Sequence, residues 1–362
     1  MDLKHTPLYN KHVEYGAKMG PFGGWDMPIQ YEGIIAEHNQ CRTSASLFDT
    51  SHMGIFYITG DIEKSGFEYP FSYFPHDIKQ GRCKYGLLMN KNGGIIDDLI
   101  VYRLADNRLM AVVNAATTQK DYDAITKESS PEIDIEDASE DISKLDLQGP
   151  EARNVARDVI HPDIEKLKFF RFMPCTIFGE DALISRTGYT GELGYEIYLP
   201  KGKCGKLWDT LLSDQRVKPA GLGARDMLRL EVGLSLYGSD IDDTTTPVEA
   251  DIEFCVNYQK DFPGKEVLLE QKAQGTNRVR AALKTNTRKS ARKDDIIKKG
   301  DNEIGYITSG IYSPSVGSSV ALGFVKPEYA KKGSVLSIQS GKKPLEAEVV
   351  DLPFYKEGTL RS

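Results

Sequence analysis

Mixed α and β structure closed by a separate all-β domain is what this 362-residue sequence predicts, on three observations. Strand-like and helix-like segments interleave over most of the chain. Beyond about residue 277 only short strands with turn signals between them remain, the pattern of a sandwich or barrel. The length also exceeds a minimal single core and points to two or three domains.

The elements follow in order. MGIFYITG (53–60), LMAVVNA (109–115), DALISRTG (181–188) and YEIYLP (195–200) are rich in β-branched, aromatic or other apolar residues, and most end at Gly or Pro. Between them, DYDAITKES (121–129) and GPEARNVARDVI (149–160) have helical spacing and good helix formers. KCGKLWDTLLSD (203–214) sets Leu207, Trp208 and Leu211 on one helical face, and GARDMLRLEVGLSL (223–236) is a further helix. RVRAALK, EIGYITSG, SVALGFVK, GSVLSIQ and LEAEVVDLP are the closing strands. The polar, Gly-containing KAQGTN (272–277) is the seam between two regions, 1–277 and 278–362.

Bulk properties exclude several classes. A net charge of −7 speaks against nucleic acid as the main ligand, which calls for a basic face. Nothing approaches eighteen consecutive apolar residues, so no membrane span is expected. The opening MDLKHTPLYNKHVEYGAKMG resembles neither a secretory signal nor an Arg-rich transit peptide, and the expectation is a cytoplasmic protein. Five scattered cysteines without a CxxC pair read as free thiols. Six histidines without ligand spacing indicate no metal.

NKNGGIIDDLIVY (90–102) carries the main chemical signal, because two aspartates are costly inside an apolar run. Asn92-Gly93-Gly94 is a turn, and the strand after it alternates. Asp98, Ile100 and Tyr102 share one face; Asp97, Leu99 and Val101 share the other. Either one carboxylate caps the turn and its neighbour is solvated, or Asp98 stands in a ligand cavity with apolar walls and a tyrosine, as an acid/base group.

Other stretches leave similar pairs of readings. His52 in DTSHMG (49–54) is a base or a structural hydrogen-bonding group, and Met53 a pocket wall or ordinary core. SRTGYTGELGYE (185–196) lacks a phosphate-loop pattern; its Glu196 is either a surface residue or an acceptor for a planar amidine-like edge. PAGLGARDMLRLEVGLSLYG (219–238) opens a helix whose N–H groups favour an anion. Arg225 there is a fork for a carboxylate, unless it or Arg229 serves an internal ion pair. KTNTRKSARKDDIIKK (284–299), with seven bases and two aspartates, is a solvated loop or a docking patch for an acidic partner.

Together these segments resemble the T-protein family of the glycine cleavage system, tetrahydrofolate-dependent aminomethyltransferases. The likeness runs from TPLYNKHVEYGAKMGPFGGWDMPIQY and DTSHMG through NGGIIDDLIVY, VVNAAT and SRTGYTGELGYE. It continues in PAGLGARDMLRLE, LYGSD, KDFPGKE, GYITSGIYSPSVGSSVALGFV and the closing PFY. Folate-dependent demethylases, folate domains of sarcosine-type dehydrogenases and a folate-binding protein of iron–sulfur assembly share the fold. The cysteine signature of the last does not stand at PAGLGARDMLRLE.

The resemblance implies an α+β, three-lobed fold of two interleaved lobes (1–277) and a C-terminal β-barrel (278–362). It implies transfer of the methylene carbon from an aminomethyl group on the lipoyl arm of a carrier, the H-protein, to tetrahydrofolate as co-substrate, without a metal. Asp98 becomes the catalytic residue, and Ile100 and Tyr102 pterin contacts. Glu196 grips the amino-pyrimidine edge, Asn114 adds an amide, and Arg225 anchors the folate. Met53, Tyr85 and Tyr189 line the cavity, and Arg361 reaches it from the C-terminus. The rival expectations are a demethylase of a small methylated solute and a folate-binding protein without turnover. Departures from the family pattern lie in FEYPFSYFPHDIKQGRCKYG (67–86), at Phe254 and Asn257, and at Phe169-Phe170.

Overall fold

The computed structural model describes residues 2–341 and 343–361. A short helix α1 (Tyr9–Glu14) precedes the hairpin β1 (Lys18–Phe22) and β2 (Trp25–Gln30), followed by α2 (Ile34–Thr43), β3 (Ala45–Asp49) and β4 (Gly54–Thr59). Next come β5 (Cys83–Met89), β6 (Ile95–Ala105), β7 (Arg108–Val113), α3 (Thr118–Lys127), β8 (Asp134–Asp137) and β9 (Ile142–Gln148). Then follow α4 (Ala152–Val159), β10 (Phe172–Ile177), β11 (Glu180–Ser185), β12 (Gly194–Pro200), α5 (Lys201–Leu212), β13 (Val217–Pro219) and α6 (Leu222–Glu231). After α7 (Lys265–Gln274) the chain is strands: β14 (Val279–Thr285), β15 (Ile296–Lys299), β16 (Asn302–Ser313), β17 (Ser318–Val325), β18 (Val335–Gln339) and β19 (Leu345–Val350).

These strands build three main assemblies. One sheet has the order β10-β11-β12-β9-β3-β13, a second β5-β6-β7-β4-β8, and β14-β17-β16-β15-β18-β19 close a barrel. The consecutive strands β3 and β4 belong to different sheets, as do β8 and β9, so the first two units are interleaved along the chain. Each has its own apolar core. Helices α4 and α5 cover the first sheet, where Leu207, Trp208 and Leu211 are buried as the helical spacing predicts. Burial of each such side chain contributes about 1.5–3 kcal/mol. The barrel core is lined by Leu283, Ile297, Ile307, Val325 and Ile338.

The hairpin β5–β6 sets the register of the aspartates. Asn90 Oδ1 accepts from the N–H groups of Asn92 (2.9 Å) and Gly94 (3.1 Å). Gly93 is left-handed at φ +80°, and a Cβ on Gly94 would come 1.8 Å from the Asp243 carbonyl oxygen, so only glycines fit this turn. From Ile95 to Ile100 burial alternates with period two, as the sequence pattern predicts. Asp97, Leu99 and Val101 turn into the core beneath α3, while Asp98 and Ile100 stay partly accessible.

Helix α6 ends at Glu231 rather than running to Leu236. Gly233 adopts φ +76°, and the bonds Gly233 N–H to Leu230 O and Leu234 N–H to Arg229 O, both 3.0 Å, form a Schellman cap. At the other end of α6, the Gly221 N–H donates to Glu37 Oε2 at 2.8 Å, so the anion that this N-terminus attracts is an internal carboxylate. The basic run also differs from a plain loop. It includes β15, and Lys289 and Lys293 donate to the carbonyls of Ser340 and Gly238, while Arg288 lies over the Tyr312 ring.

Candidate functional site

Asp98 sits on β6 opposite Leu87 of β5, two residues along from the Tyr85–Ile100 pair. Tyr85 Oη donates to Asp98 Oδ2 at 3.1 Å, and Asn114, just past the end of β7, donates its Nδ2 to Asp98 Oδ1 at 2.9 Å. The same amide reaches Asp97 Oδ1 at 2.9 Å, and the Asn114 backbone N–H reaches Asp97 Oδ2 at 2.9 Å. One asparagine therefore clamps both aspartates, which is why neither behaves as a turn cap or a solvated end. Burial, and next the charge of Asp97, push the Asp98 carboxyl up to about 7. A carboxyl poised there exchanges a proton near neutral pH, the property expected of a general acid or base.

A second polar group lies along the same strand. Side chains on one face of a strand recur about every 7 Å, so Asp98, Ile100 and Tyr102 span roughly 13 Å. Tyr102 is fully buried, and its hydroxyl meets Glu196 Oε2 (3.2 Å), Tyr198 Oη (2.9 Å) and Ser185 Oγ (3.1 Å). Tyr198 Oη donates to the same Glu196 oxygen at 2.9 Å.

Across the β12–β9 ladder Glu196 stands directly opposite Asp146, an arrangement that repels unless cations intervene. Two do. Lys144 Nζ lies 2.5 Å from Asp146 Oδ1 and 3.2 Å from Glu196 Oε1, and Arg225 Nη1 lies 2.7 Å from Asp146 Oδ2. Burial alone would raise the Asp146 carboxyl, but Lys144 and Arg225 outweigh it and hold it below the usual range. Arg225 of α6 thus makes an internal ion pair while its guanidinium covers the Tyr189 ring at 5.0 Å.

The other sequence-predicted residues divide around these groups. Tyr189 donates to the Ser235 carbonyl, and Met53 packs with Ile55, Cys83, Tyr102 and Met110. Arg361 is exposed at the end of a tail whose Leu360 N–H bonds the Gly191 carbonyl at 3.2 Å. It makes no hydrogen bond to either polar group among the described residues. A cavity of about 270 Å³ opens over Tyr85, walled by Cys83, Lys84, Phe170, Phe254 and Cys255. That is the low end for an organic ligand, enough for one segment of a large one. Phe170 carries strain at its wall, with φ +57°, and Phe254 is 81% exposed, a large apolar ring left at the rim.

Sequence reasoning passed over two contributors. Lys144 and Asp146 lie in a strand of ordinary pattern, and their roles emerge only from the cross-strand register. His52, which the sequence leaves as a base or a structural group, is buried and edge-on to Phe22; burial pushes its imidazole down to about 4, and among the described residues its Nδ1 has no hydrogen-bond partner. A neutral ring with an unmet nitrogen, within the electrostatic reach of Arg225, Lys144 and Asp146, is suited to a ligand's hydrogen bond rather than to service as a base.

Comparison with known proteins bears on this geometry. Residues 8–260 match the family model described as the GCVT N-terminal domain, and residues 278–356 match the glycine cleavage T-protein C-terminal barrel domain. Aminomethyltransferases of Desulforamulus reducens and Desulfitobacterium hafniense are 41% and 40% identical, each alignment covering 98% of this chain and 99% of the relative. The crystal structure of glycine cleavage system aminomethyltransferase T from Bartonella henselae superposes with a TM-score of 0.93 at 37% identity, covering 99% of both chains.

Proposed function

The chain belongs to the glycine cleavage T-protein family and is an aminomethyltransferase of that system; from this premise we propose that Asp98 is its catalytic carboxyl. The proposed co-substrate is tetrahydrofolate, bound along the face of β6 between Asp98 and the Glu196 group. The observation that carries this reading is a partly buried carboxyl poised near 7 and fixed by Tyr85 and Asn114. The proposed donor is an aminomethyl group held as a thioether on the lipoyl arm of the H-protein. The donor carbon loses its bonds to sulfur and nitrogen and gains two to folate nitrogens. The two folate N–H protons end on the thiol and on ammonia. The amine lone pair drives the cleavage, so no metal is called for.

Each residue then has a task. Ionised Asp98 stabilises the positive charge that develops at the carbon and guides the proton leaving the folate nitrogen. Tyr85 and Asn114 fix its orientation. Glu196, backed by Tyr102, Tyr198 and Lys144, presents a carboxylate whose internal partners keep it in one rotamer for the amino-pyrimidine edge. Ile100, Met53 and Tyr189 supply apolar walls, and Arg225 and Arg361 are proposed for the folate's charged and polar groups. Residues 1–277 form the catalytic region and 278–362 the barrel domain. The exposed Arg288, Lys289, Arg292 and Lys293 contribute to carrier docking, and the site of action is the cytoplasm.

The test is a coupled assay with tetrahydrofolate and aminomethyl-loaded H-protein, run for wild type and Asp98→Asn. Ammonia and 5,10-methylenetetrahydrofolate form together in the wild type, and the variant loses about 10²–10⁴-fold in turnover while still binding folate. Full turnover in the variant would defeat the assignment. Product formed from a methylated solute without a carrier would favour a demethylase.

A further inference from the structure

Behind Asp98 lies an acidic residue that the proposed chemistry does not use. Asp121, in the first turn of α3, is fully buried, and among the described residues neither of its carboxyl oxygens has an N–H partner. Its side chain is in hydrogen-bonding contact with that of Asp97, itself fully buried. Two carboxylates in such contact cannot both be ionised, so a proton is shared between them. The surroundings decide where it resides. Asp97 receives the backbone and side-chain N–H groups of Asn114, both at 2.9 Å, which favour its charged form. Among the described residues no N–H reaches Asp121.

The other groups facing the pair do not change this assignment. Thr117, at the start of α3, faces both carboxyls with its hydroxyl and so favours the charge on neither over the other; the same hydroxyl donates to the Asn114 carbonyl at 3.0 Å. Lys120, on the same helix, directs its ammonium at Asp243 (3.0 Å) and the Tyr237 hydroxyl (2.7 Å). Tyr237 donates onward to the Ile95 carbonyl at 3.3 Å, and Asp98 adds only a further negative charge. Burial first, and then the charge of Asp97, push the Asp121 carboxyl up to about 10.

We propose that Asp121 is a positioning residue: its neutral carboxyl donates to Asp97, so that Asp97 remains a single fixed anion holding Asn114 against Asp98. The arrangement places one negative charge, not two, behind the reactive carboxyl. It also fixes the amide that orients Asp98 from a side water does not reach. As a statement about catalysis the inference rests on Asp98 being the catalytic carboxyl. The protonation of Asp121 is tested separately, by its own readout.

The experiment compares wild type, Asp121→Asn and Asp97→Asn by infrared difference spectroscopy at pH 8.5 and by the pH profile of kcat. At that pH Asp98 is ionised, so a protonated-carboxyl C=O band belongs to the buried pair. The band is expected in the wild type and lost in Asp121→Asn, whose amide still donates to Asp97. The acid limb of kcat then stays in place in Asp121→Asn and moves down by about one pH unit or more in Asp97→Asn, which removes a neighbouring charge. A wild type without the band, a band unaltered in Asp121→Asn, or a downward limb shift in Asp121→Asn would overturn the proposal. If that variant does not fold, wild-type protein with ¹³C-labelled Asp carboxyls answers the same question. One carboxyl carbon that remains protonated at pH 8.5 supports the proposal, and none refutes it. Should Asp98→Asn stay active, the catalytic premise fails while the spectroscopic result on Asp121 still stands.

Discussion

Replacing Lys144 by Met removes the cation between Asp146 and Glu196 while keeping a side chain of similar length. Lys144 is 1% exposed, with Nζ 2.5 Å from Asp146 and 3.2 Å from Glu196. At 3.2 Å and an effective dielectric of about 20, a single pair is worth about 5 kcal/mol of attraction, set against several kcal/mol of desolvation for each ion. The net is what remains when one partner is deleted and Arg225 is the remaining cation at the facing carboxylates, about 3–5 kcal/mol. At about 2 °C per kcal/mol for a large domain, Lys144→Met should melt roughly 6–10 °C below wild type.

The sign of the pH dependence follows from Asp146. Its folded-state pKa is depressed, so its contribution is present above the unfolded value and lost as pH falls through the folded one. The gap between wild type and Lys144→Met is therefore widest near pH 7 and closes as pH falls below about 4. Adding Glu196→Gln, which removes one of the opposed charges, should recover part of the loss. Differential scanning fluorimetry at pH 7 and at about pH 3 with both variants decides the matter. A melting shift under 2 °C, a gap independent of pH, or a double variant no more stable than the single one would refute the reasoning.

Other expectations are shorter. Asp98 has a raised folded-state pKa, so the native state binds its proton more tightly than the unfolded chain between about pH 4 and 7, and ionising it costs stability as pH rises. Asp98→Asn should therefore stabilise the protein at pH 8 by about 2 kcal/mol, discounted for partial solvent access, and by nothing below pH 4. Urea midpoints at the two pH values check this, and a variant less stable at both would contradict it. In the wild type, kcat should rise through an acid limb near pH 7. Charge reversal at Arg288, Lys289, Arg292 and Lys293 should raise the apparent KM for the carrier several-fold at low salt, an effect that 0.5 M salt largely removes. An unchanged KM at low salt would remove this loop from the docking surface.

What could be read from the sequence tracks the range of the interactions. The face of Asp98 was legible because strand alternation is local, and Asn92-Gly93-Gly94 set its phase. The helix over Leu207, Trp208 and Leu211 was legible through its period. The length of α6 is not legible in the sequence because Val232, Leu234 and Leu236 continue an apolar pattern, whereas the end is set by one left-handed glycine. β15 was hidden inside a charge-rich run because only Ile296 and Ile297 carry its apolar signal. Lys144, Asp146 and Asp121 escaped for a different reason. Each acquires its role from a partner on another element, and no window of sequence contains both.

The barrel bears on the site through one helix. Arg225 and Arg229 are a turn apart on α6 and so share a face. The first meets Asp146 at 2.7 Å. The second, 1% exposed, is tied to Asp240 at 2.5 Å and to Ser309 of β16 at 2.8 Å. At the end of the helix Glu231 accepts from Ser313 of β16 at 2.5 Å and from Ser315 at 3.0 Å, and pairs with Arg42 at 2.7 Å. His38 and Arg42 hold the Glu231 carboxyl down to about 2, against burial. Buried ion pairs add little net stability compared with apolar packing, but they tolerate few alternative geometries. A barrel whose Ser309, Ser313 and Ser315 hydrogen-bond to these paired charges therefore sets the rotation of α6, and with it the angle at which Arg225 reaches Asp146 and the charges behind Glu196. That accounts for a C-terminal domain which, among the described residues, places no side chain on Asp98 and yet bears on the geometry of the site.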